Sequence, residues 1–159
     1  MLRKFISIIF ASQLFLSCGF TPTLINNNQE IDTLIHYEIN PANSYTARKI
    51  LNANLQSVDK DKAKFLTKIN VKEQESAVNI ESSGSVNEYK IEVLISFEIF
   101  DMLNDVMLLA SQSRGFENYD VSSSEYTNSL IHKEALERAI IEGIQLMNII
   151  MQSKITEQL

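Results

Sequence analysis

The sequence predicts an α+β fold, in which a four-stranded, mostly antiparallel (mixed) sheet has two helices packed on one face. The first observation is that apolar and polar residues alternate along much of the middle of the chain, which is the period of a half-buried strand. The second is that two other segments repeat apolar residues every three or four positions, which is the period of an amphipathic helix. These segments follow in the order β-α-β-β-β-α, within one domain that spans residues 31–155.

The N-terminal segment 1–17 has the composition of a signal peptide. Arg3 and Lys4 give it a positive start, and residues 5–16 are almost wholly apolar. A helix that spans a membrane needs about 20 apolar residues, so this run is too short to be one. We therefore expect residues 1–17 to be a lipoprotein signal peptide that is removed and takes no part in the fold.

Cys18 is the only cysteine of the chain and directly follows this segment. Ser17 supplies the small residue of a bacterial lipobox, although Phe15 and Leu16 are bulkier than that motif usually has. In such a site the cysteine becomes the new N-terminus and carries a diacylglycerol thioether and an N-acyl chain, which together anchor a protein stably. The alternative is an ordinary signal peptide with a buried or removed cysteine, but a lone cysteine in a secreted protein has no disulfide partner.

The residues after Cys18 predict where the protein lies. Gly19 stands where an Asp commonly retains Gram-negative lipoproteins at the inner membrane, so we expect a lipid-anchored protein on the periplasmic face of the outer membrane. Residues 18–30 lack periodicity and are rich in turn formers, such as Asn26 to Asn28, which predicts a tether. The net charge of −6 at pH 7 argues against nucleic-acid binding, which depends on a basic surface.

The first two elements of the domain follow the tether. Residues 31–39 alternate loosely and Pro41 ends them, which predicts strand one. Asn43 or Ser44 then caps a short amphipathic helix. Its apolar residues recur at three- and four-residue spacing and are Ala47, Ile50, Leu51, Leu55 and Val58.

Three strands follow in the middle of the chain. Alternation between residues 60 and 75 predicts strand two, and a serine- and glycine-rich turn at 82–85 separates it from strand three at 89–100. A turn at 101–105 leads to strand four at 106–119, so strands three and four form a long hairpin. The clearest strand has one apolar and one mostly polar face, which predicts an antiparallel sheet with one covered face.

A long helix ends the predicted domain. Ser122 and Glu125 predict a capping box at its start, and its amphipathic pattern continues to about Ser153. Gly143 lies on the apolar side, where a glycine costs up to about 1 kcal/mol of helix propensity, so we expect close packing on the sheet, with chance occurrence as the alternative. Gly115 within strand four indicates either a bulge or a close approach of two backbones.

The residue types of the chain predict a binding or structural protein rather than an enzyme. His36 and His132 lie on different elements and lack the spacing of metal ligands, and the sequence contains no glycine-rich phosphate loop. Glu134 and Glu137 are expected to be solvated carboxylates of the last helix rather than a general acid-base pair. Acylation of Cys18 would leave no free thiol, and the covalent lipid is the only cofactor that we expect.

Lysines cluster in and before strand two of a chain that is acidic overall. Lys64, Lys68 and Lys72 share the face opposite the apolar side chains of that strand, and Lys90 and Arg114 from neighbouring strands extend the group. One interpretation is that these are solvated lysines that discourage aggregation at a sheet edge. The other is that these basic residues bind the phosphates of an anionic lipid.

Several segments together resemble the family of LPS-assembly lipoproteins called LptE, over nearly the whole mature domain. The order of strands and helices fits, and the most specific similarity begins at strand three. The segments that carry it are Cys18-Gly19-Phe20, Tyr89 to Asp101, Leu109-Ala110-Ser111, Tyr119-Asp120-Val121-Ser122, Ser124-Glu125-Tyr126, Glu134-Ala135 and Glu137-Arg138-Ala139.

Membership of that family implies a plug-like partner of the LptD β-barrel. The pair would form the two-protein translocon that inserts lipopolysaccharide into the outer leaflet, and the lipoprotein would also assist LptD assembly and contact lipopolysaccharide directly. No lipopolysaccharide-binding residue of the family aligns with this chain, so the five basic candidates rest on charge alone. A lipoprotein adaptor of another envelope machine, such as the outer-membrane barrel-assembly complex, is the alternative, and a periplasmic enzyme is the third class.

Overall fold

The computed structural model describes residues 33–158. The predicted signal peptide 1–17, the lipid on Cys18, the tether 18–30 and the first two residues of the predicted domain lie outside the described residues. The elements are β1 (Ile35–Ile39), α1 (Tyr45–Asn54), a 3-10 turn (Lys60–Lys62), β2 (Phe65–Ile80), β3 (Val86–Asp101), β4 (Val106–Asp120) and α2 (Glu125–Thr156). The predicted α+β class and the order β-α-β-β-β-α are confirmed.

The four strands form one mixed sheet in the order β1-β2-β3-β4. β1 and β2 are parallel, because α1 and the loops around it return the chain to the same end of the sheet between them. Their register runs from Ile35 beside Phe65 to Ile39 beside Ile69. β2, β3 and β4 pair in antiparallel fashion through two hairpins, as predicted for the longer strands.

The position of β2 differs from its prediction. The strand was expected between residues 60 and 75, but Lys60–Lys62 form a 3-10 turn and β2 continues past Glu75. Its pairing with β3 extends to Ile80, opposite Val86. The strand is therefore longer than its own alternation indicates, because the partner strand continues to satisfy its backbone groups.

α1 is shorter than its apolar repeat predicts. Ser44 is the N-cap, since its Oγ accepts a hydrogen bond from the N–H of Ala47 at 3.0 Å, which confirms one of the two predicted caps. The helix ends at Asn54, and Val58 lies in the following loop rather than on the helix. The N–H of Val58 donates to the carbonyl oxygen of Ile35 at 3.0 Å, so β1 holds this loop instead.

α2 begins later than the capping box predicts. Its N-cap is Ser124, whose Oγ accepts a hydrogen bond from the N–H of Thr127 at 3.4 Å, so the prediction of Ser122 was wrong. Asn128 explains the difference. Its Oδ1 accepts from the N–H of Ser122 at 2.5 Å, and its Nδ2 donates to the carbonyl oxygen of Ser122 at 2.9 Å. Ser122 therefore lies outside the helix, and its backbone is hydrogen-bonded to a side chain near the start of α2.

α1 and α2 cover one face of the sheet, and the hydrophobic core lies beneath them. Every second side chain of β3 from Ile91 to Ile99 is buried, as the alternation predicts. The largest fully buried side chains are Phe65, Phe97, Ile35, Leu51, Ile69, Ile91, Ile95, Ile99, Ile140, Met147, Met151 and Ile155. The opposite face of the sheet carries no helix in the described part of the chain.

The backbones of β4 and α2 meet at two glycines. A Cβ on Gly115 would lie 1.9 Å from the carbonyl oxygen of Ala139 and 2.7 Å from the amide nitrogen of Gly143. The hydroxyl of Ser113 adds a hydrogen bond of 2.8 Å to the carbonyl oxygen of Gly143. Close packing is confirmed at both glycines, whereas the register shift between β3 and β4 lies elsewhere, next to Ile99.

Candidate binding face of the sheet

The uncovered face of the sheet carries the predicted basic residues. Even-numbered side chains of β2, β3 and β4 point away from the helices along most of each strand, because the odd-numbered ones face the core. The strand register arranges them in rows across the sheet. One row contains Glu38, Lys68, Glu98 and Ala110, and the next contains Asn70, Ser96 and Gln112.

These two rows form the floor of an open trough with a volume of about 930 Å³. Short side chains at Ser96 and Ala110 keep the centre of the floor low. Nδ2 of Asn40 donates to Oδ1 of Asn70 at 3.0 Å, and Nε2 of Gln112 donates to Oγ of Ser96 at 3.3 Å. The trough therefore presents amide, hydroxyl and carboxylate groups, which suit a polar ligand rich in hydroxyl groups.

Lys68 lies in the trough between two carboxylates. The register places Glu38 on one side and Glu98 on the other, and the Lys68 ammonium lies 4.9 Å from the ring centroid of Phe100. Glu38 also accepts a hydrogen bond from Lys60 at 3.0 Å, which is the main cause of the lowered pKa of Glu38, and the charges of both lysines add to it. Lys68 thus has a carboxylate residue on each neighbouring strand, although the ion pair of Glu38 is with Lys60.

Glu92 lies between two of the predicted cations. Its Oε2 is 3.8 Å from Nζ of Lys90, and its Oε1 is 3.6 Å from Nη1 of Arg114. The Lys90 ammonium also lies 4.9 Å from the ring centroid of Phe116. Ion pairs between exposed side chains contribute at most about 1 kcal/mol each, so a bound phosphate can replace Glu92 as the partner of either cation.

Lys72 and Arg114 lie on either side of Leu94, which is half-buried. Lys72 is exposed and forms no ion pair with any residue in the range 33–158. We call Lys72, Lys90 and Arg114 the basic patch. The patch spans three successive rows of the sheet, and Leu94 and Phe116 lie among its cations.

The other two predicted cations lie apart from the basic patch. Lys64 precedes β2, its ammonium lies 5.3 Å from the ring centroid of the core residue Phe65, and its carbonyl oxygen accepts from the N–H of Met102 at 3.0 Å. The structure thus brings three of the five candidates together. It places Lys68 two rows away in the trough, and Lys64 at the far end of the strand.

The sequence analysis assigned no binding role to the apolar members of this face and did not predict the ion pairs of Glu92. Leu94, Phe100 and Phe116 lie on the uncovered face, and Phe116 is 55% exposed. The sequence does show apolar residues at even positions of β3, which indicates apolar contact on the uncovered face. The ion pairs of Glu92, in contrast, depend on the register of strands that are distant in the chain.

The histidines and the carboxylates of α2 do not come together. Nδ1 of His36 lies 2.7 Å from a loop carbonyl oxygen, and Nε2 of His132 lies 3.9 Å from Oε2 of Glu75. Glu134 and Glu137 are exposed. Among residues 33–158, no group of three or more His, Cys, Asp or Glu side chains is placed to hold a metal ion.

The same fold occurs in solved structures of lipoproteins. A protein of Caulobacter crescentus CB15 that is proposed to be a lipoprotein matches with a TM-score of 0.63 and 16% identity, over 83% of this chain and 96% of its own. A minor lipoprotein of Acinetobacter baumannii matches with a TM-score of 0.58 and 12% identity, over 77% of this chain and 92% of its own. Rare lipoprotein B of Shewanella oneidensis matches with a TM-score of 0.53 and 12% identity, over 79% of this chain and 99% of its own.

At these identities the likeness shows the fold alone. No protein-family model matches the chain, and no curated protein matches it. The helices of residues 33–158 include none that is both long and apolar enough to cross a membrane. The comparisons therefore establish the fold and its occurrence in proteins that are named lipoproteins.

Proposed function

We propose that this protein is an outer-membrane lipoprotein of the lipopolysaccharide transport machinery, similar to LptE. Lipidated Cys18 would hold it at the periplasmic face of the outer membrane. Its domain would fill the lumen of an LptD-type β-barrel and assist assembly of that barrel. The observation that carries the proposal is the shared fold, which spans 99% of the chain of rare lipoprotein B. The position of Cys18 at the end of an apolar run supports the proposal independently.

The chemistry of the uncovered face supports contact with lipopolysaccharide, a ligand that contains phosphates, sugars and acyl chains. The cations of the basic patch suit the phosphates, because charge-assisted hydrogen bonds are stronger than neutral ones. The trough offers amide and hydroxyl groups to sugar hydroxyls. Leu94 and Phe116 lie among the cations and offer apolar contact to acyl chains. One face of the sheet thus presents all three kinds of contact.

The role that we propose is binding and assembly, not catalysis. A lipid anchor and the tether 18–30 would raise the effective concentration of the domain near a partner in the same membrane. The domain would then supply a rigid surface, because close backbone contact at Gly115 and Gly143 holds the sheet against α2.

Copurification tests the proposed partner. The tagged full chain is purified from detergent-solubilised outer membranes, and the proteins recovered in near-equal amounts are identified. An LptD-type barrel in that fraction is the expected result. Recovery of the barrel-assembly complex instead would favour an adaptor role, and recovery of no partner in near-equal amount would contradict both roles.

The lipid anchor has its own test. Cys18→Ser removes the sulfur that takes the diacylglycerol, so this variant should lose labelled palmitate and move from the membrane to the soluble fraction. Ser17→Ala keeps a small residue before the cysteine and is the matched control. A wild-type chain without label would contradict the lipoprotein assignment and leave the fold unaffected.

A further inference from the structure

Within residues 33–158, the outer edge of β2 is unpaired along most of its length. β1 pairs with β2 only between Phe65 and Ile69, whereas β2 continues to Ile80. No other strand of the described sheet lies on that side, because β3 occupies the opposite side. Residues 70–80 therefore form a free edge, which is a ready template for another strand.

Two backbone groups of β2 form hydrogen bonds with the loop before α1. They show which residues of β2 have backbone groups that point away from β3. The carbonyl oxygen of Ile69 accepts a hydrogen bond from the N–H of Asn40 at 2.9 Å. The N–H of Val71 donates to Oδ1 of Asn43 at 3.0 Å. Both groups point away from β3, and the direction of backbone groups alternates from residue to residue. The part of the edge that lacks such hydrogen bonds within residues 33–158 therefore begins directly after Val71.

Glu73 and Glu75 are the next residues whose backbone N–H and C=O point outward. Their side chains lie on the covered side of the sheet. The carboxylate of Glu73 accepts from Oγ of Ser44 at 2.5 Å, and that of Glu75 accepts from the hydroxyl of Tyr119 and lies 3.9 Å from Nε2 of His132. Neither carboxylate pairs with a lysine or arginine of residues 33–158. The edge thus offers free backbone groups beside two carboxylates that have no permanent cation.

The end of this edge is marked by a change of register. Pairing with β3 shifts between Ala77 and Asn79, and the side chains that follow are exposed, Val78 to 50% and Ile80 to 60%. The regular part of the free edge is therefore residues 73–77. That length matches a typical strand of about five residues.

The charges on the edge argue against pairing with a second copy of the chain. An antiparallel pair that is related by a two-fold axis must place outward-pointing residues opposite each other. A register centred on Gln74 sets Glu73 opposite Glu75 of the copy, and a register centred on Glu75 sets that residue opposite itself. Like charges directly opposite each other destabilise a sheet, whereas opposite charges stabilise it.

We propose that the free edge of β2 at residues 73–77 is a docking site for a basic β-strand of a partner protein. This strand would add to the sheet beyond the end of β1, and its backbone would pair with Glu73 and Glu75. Its lysine or arginine side chains, at alternate positions, would face the carboxylate of Glu73, whereas that of Glu75 is directed across β3 toward Tyr119. The edge is distinct from the uncovered sheet face, so the inference does not depend on the proposed function.

The probe is a synthetic peptide of alternating lysine and valine residues, added to the full chain in detergent at low salt. Amide hydrogen exchange measured by NMR should show new protection at Glu73 and Glu75, and none at Gln74, whose N–H already pairs with β3. A peptide with glutamate in place of lysine is the control and should not bind. Absence of binding, or binding without protection at Glu73 and Glu75, would overturn the proposal.

Two variants separate backbone pairing from charge. Glu73→Pro removes an outward N–H but keeps the ladder to β3, because proline is tolerated where the N–H faces solvent, and it should weaken peptide binding about tenfold. Glu73→Gln keeps the N–H and should weaken binding about threefold and reduce its salt dependence. If Glu73→Pro does not fold, a peptide N-methylated at alternate amides applies the same test to the unchanged chain. Unchanged affinity in that test would overturn the proposal.

Discussion

The hydroxyl of Tyr119 on β4 donates a hydrogen bond to the carboxylate of Glu75 on β2, across the intervening strand β3. The ring of Tyr89 stacks on Tyr119 with the centroids 5.6 Å apart, and the ring of His132 meets its edge at 5.8 Å. Burial, together with the hydrogen bond to Glu75, raises the pKa of the Tyr119 hydroxyl. This contact holds the part of β2 that extends beyond β1 against the body of the domain.

Replacement of Tyr119 by Phe is expected to lower the free energy of unfolding by about 1 to 2 kcal/mol. The variant loses a hydrogen bond to a charged acceptor and leaves the carboxylate of Glu75, which is 40% exposed, without this donor. Urea unfolding followed by circular dichroism measures the change. Tyr126→Phe is the control, because Tyr126 is 81% exposed. Equal unfolding midpoints for Tyr119→Phe and the wild type would show that the contact adds no stability.

Gly115→Ala is expected to destabilise the domain by about 1 to 3 kcal/mol. The added Cβ would lie 1.9 Å from the carbonyl oxygen of Ala139, so the backbone of β4 or α2 must move. Gly143→Ala is the comparison. Its Cβ would meet the end of a side chain, Cδ1 of Ile95 at 2.8 Å, and the alanine would gain about 1 kcal/mol of helix propensity. Thermal unfolding of both variants tests this order, and a larger loss for Gly143→Ala would contradict it.

How far the sequence predicts this fold depends on the range of each interaction. The alternation from Ile91 to Ile99 is a local pattern, so the strand and its covered face were predicted correctly. The N-cap at Ser124 was missed because Asn128 binds the backbone of Ser122 and keeps it outside the helix. Such a competing side-chain contact is not visible in a capping pattern.

The candidate site was predictable in composition but not in arrangement. Lys68 and Lys72 lie on the uncovered face because of the strand period alone. Their neighbours follow from the register, which places Glu38 and Glu98 beside Lys68 and Leu94 beside Lys72. A shift of one residue in the strand register would change every such neighbour. The sequence of one strand does not determine that register.

The stability that Asp101 gives to the turn between β3 and β4 depends on pH. Hydrogen bonds from the side chain of Asn104 at 2.8 Å, from its N–H at 3.1 Å and from the N–H of Leu103 at 2.8 Å hold the pKa of Asp101 below its usual value of 3.8. Because this pKa is depressed in the folded state, the stabilisation is fully present above the unfolded pKa and is lost as pH falls through the folded pKa.

Asp101→Ala should therefore have a lower melting temperature than the wild type at pH 7. This difference should narrow as the pH falls below about 3.8, because the wild type then loses the charged acceptor. Melting curves across this range measure the difference. Asp120→Ala, at an exposed position, is the control and should show no comparable difference at pH 7. A difference for Asp101→Ala that stays constant with pH would contradict the role of its charge.

Removal of two of the three cations of the basic patch is expected to weaken lipopolysaccharide binding. Lys72→Ser combined with Arg114→Ser removes the two cations that flank Leu94, and the loss of their phosphate contacts should raise Kd about tenfold. Titration at matched salt measures the change. Lys49→Ser combined with Lys133→Ser removes the same charge from exposed helix positions and should change Kd little. Equal weakening by both pairs would show that net charge, and not the basic patch, determines affinity.

A substitution at Glu92 also tests lipopolysaccharide binding by the basic patch, but here the affinity should increase. Its carboxylate lies 3.8 Å from Lys90 and 3.6 Å from Arg114, so it competes with any incoming anion. Glu92→Gln keeps the shape of the side chain and should strengthen lipopolysaccharide binding about two- to fivefold at low salt, with a smaller gain as salt screens the charges. Glu134→Gln removes an equal charge from an exposed position on α2 and should have no effect. Weaker binding by Glu92→Gln would mean that Glu92 holds the two cations in place for the ligand, because an anion that merely displaced Glu92 would gain from its removal.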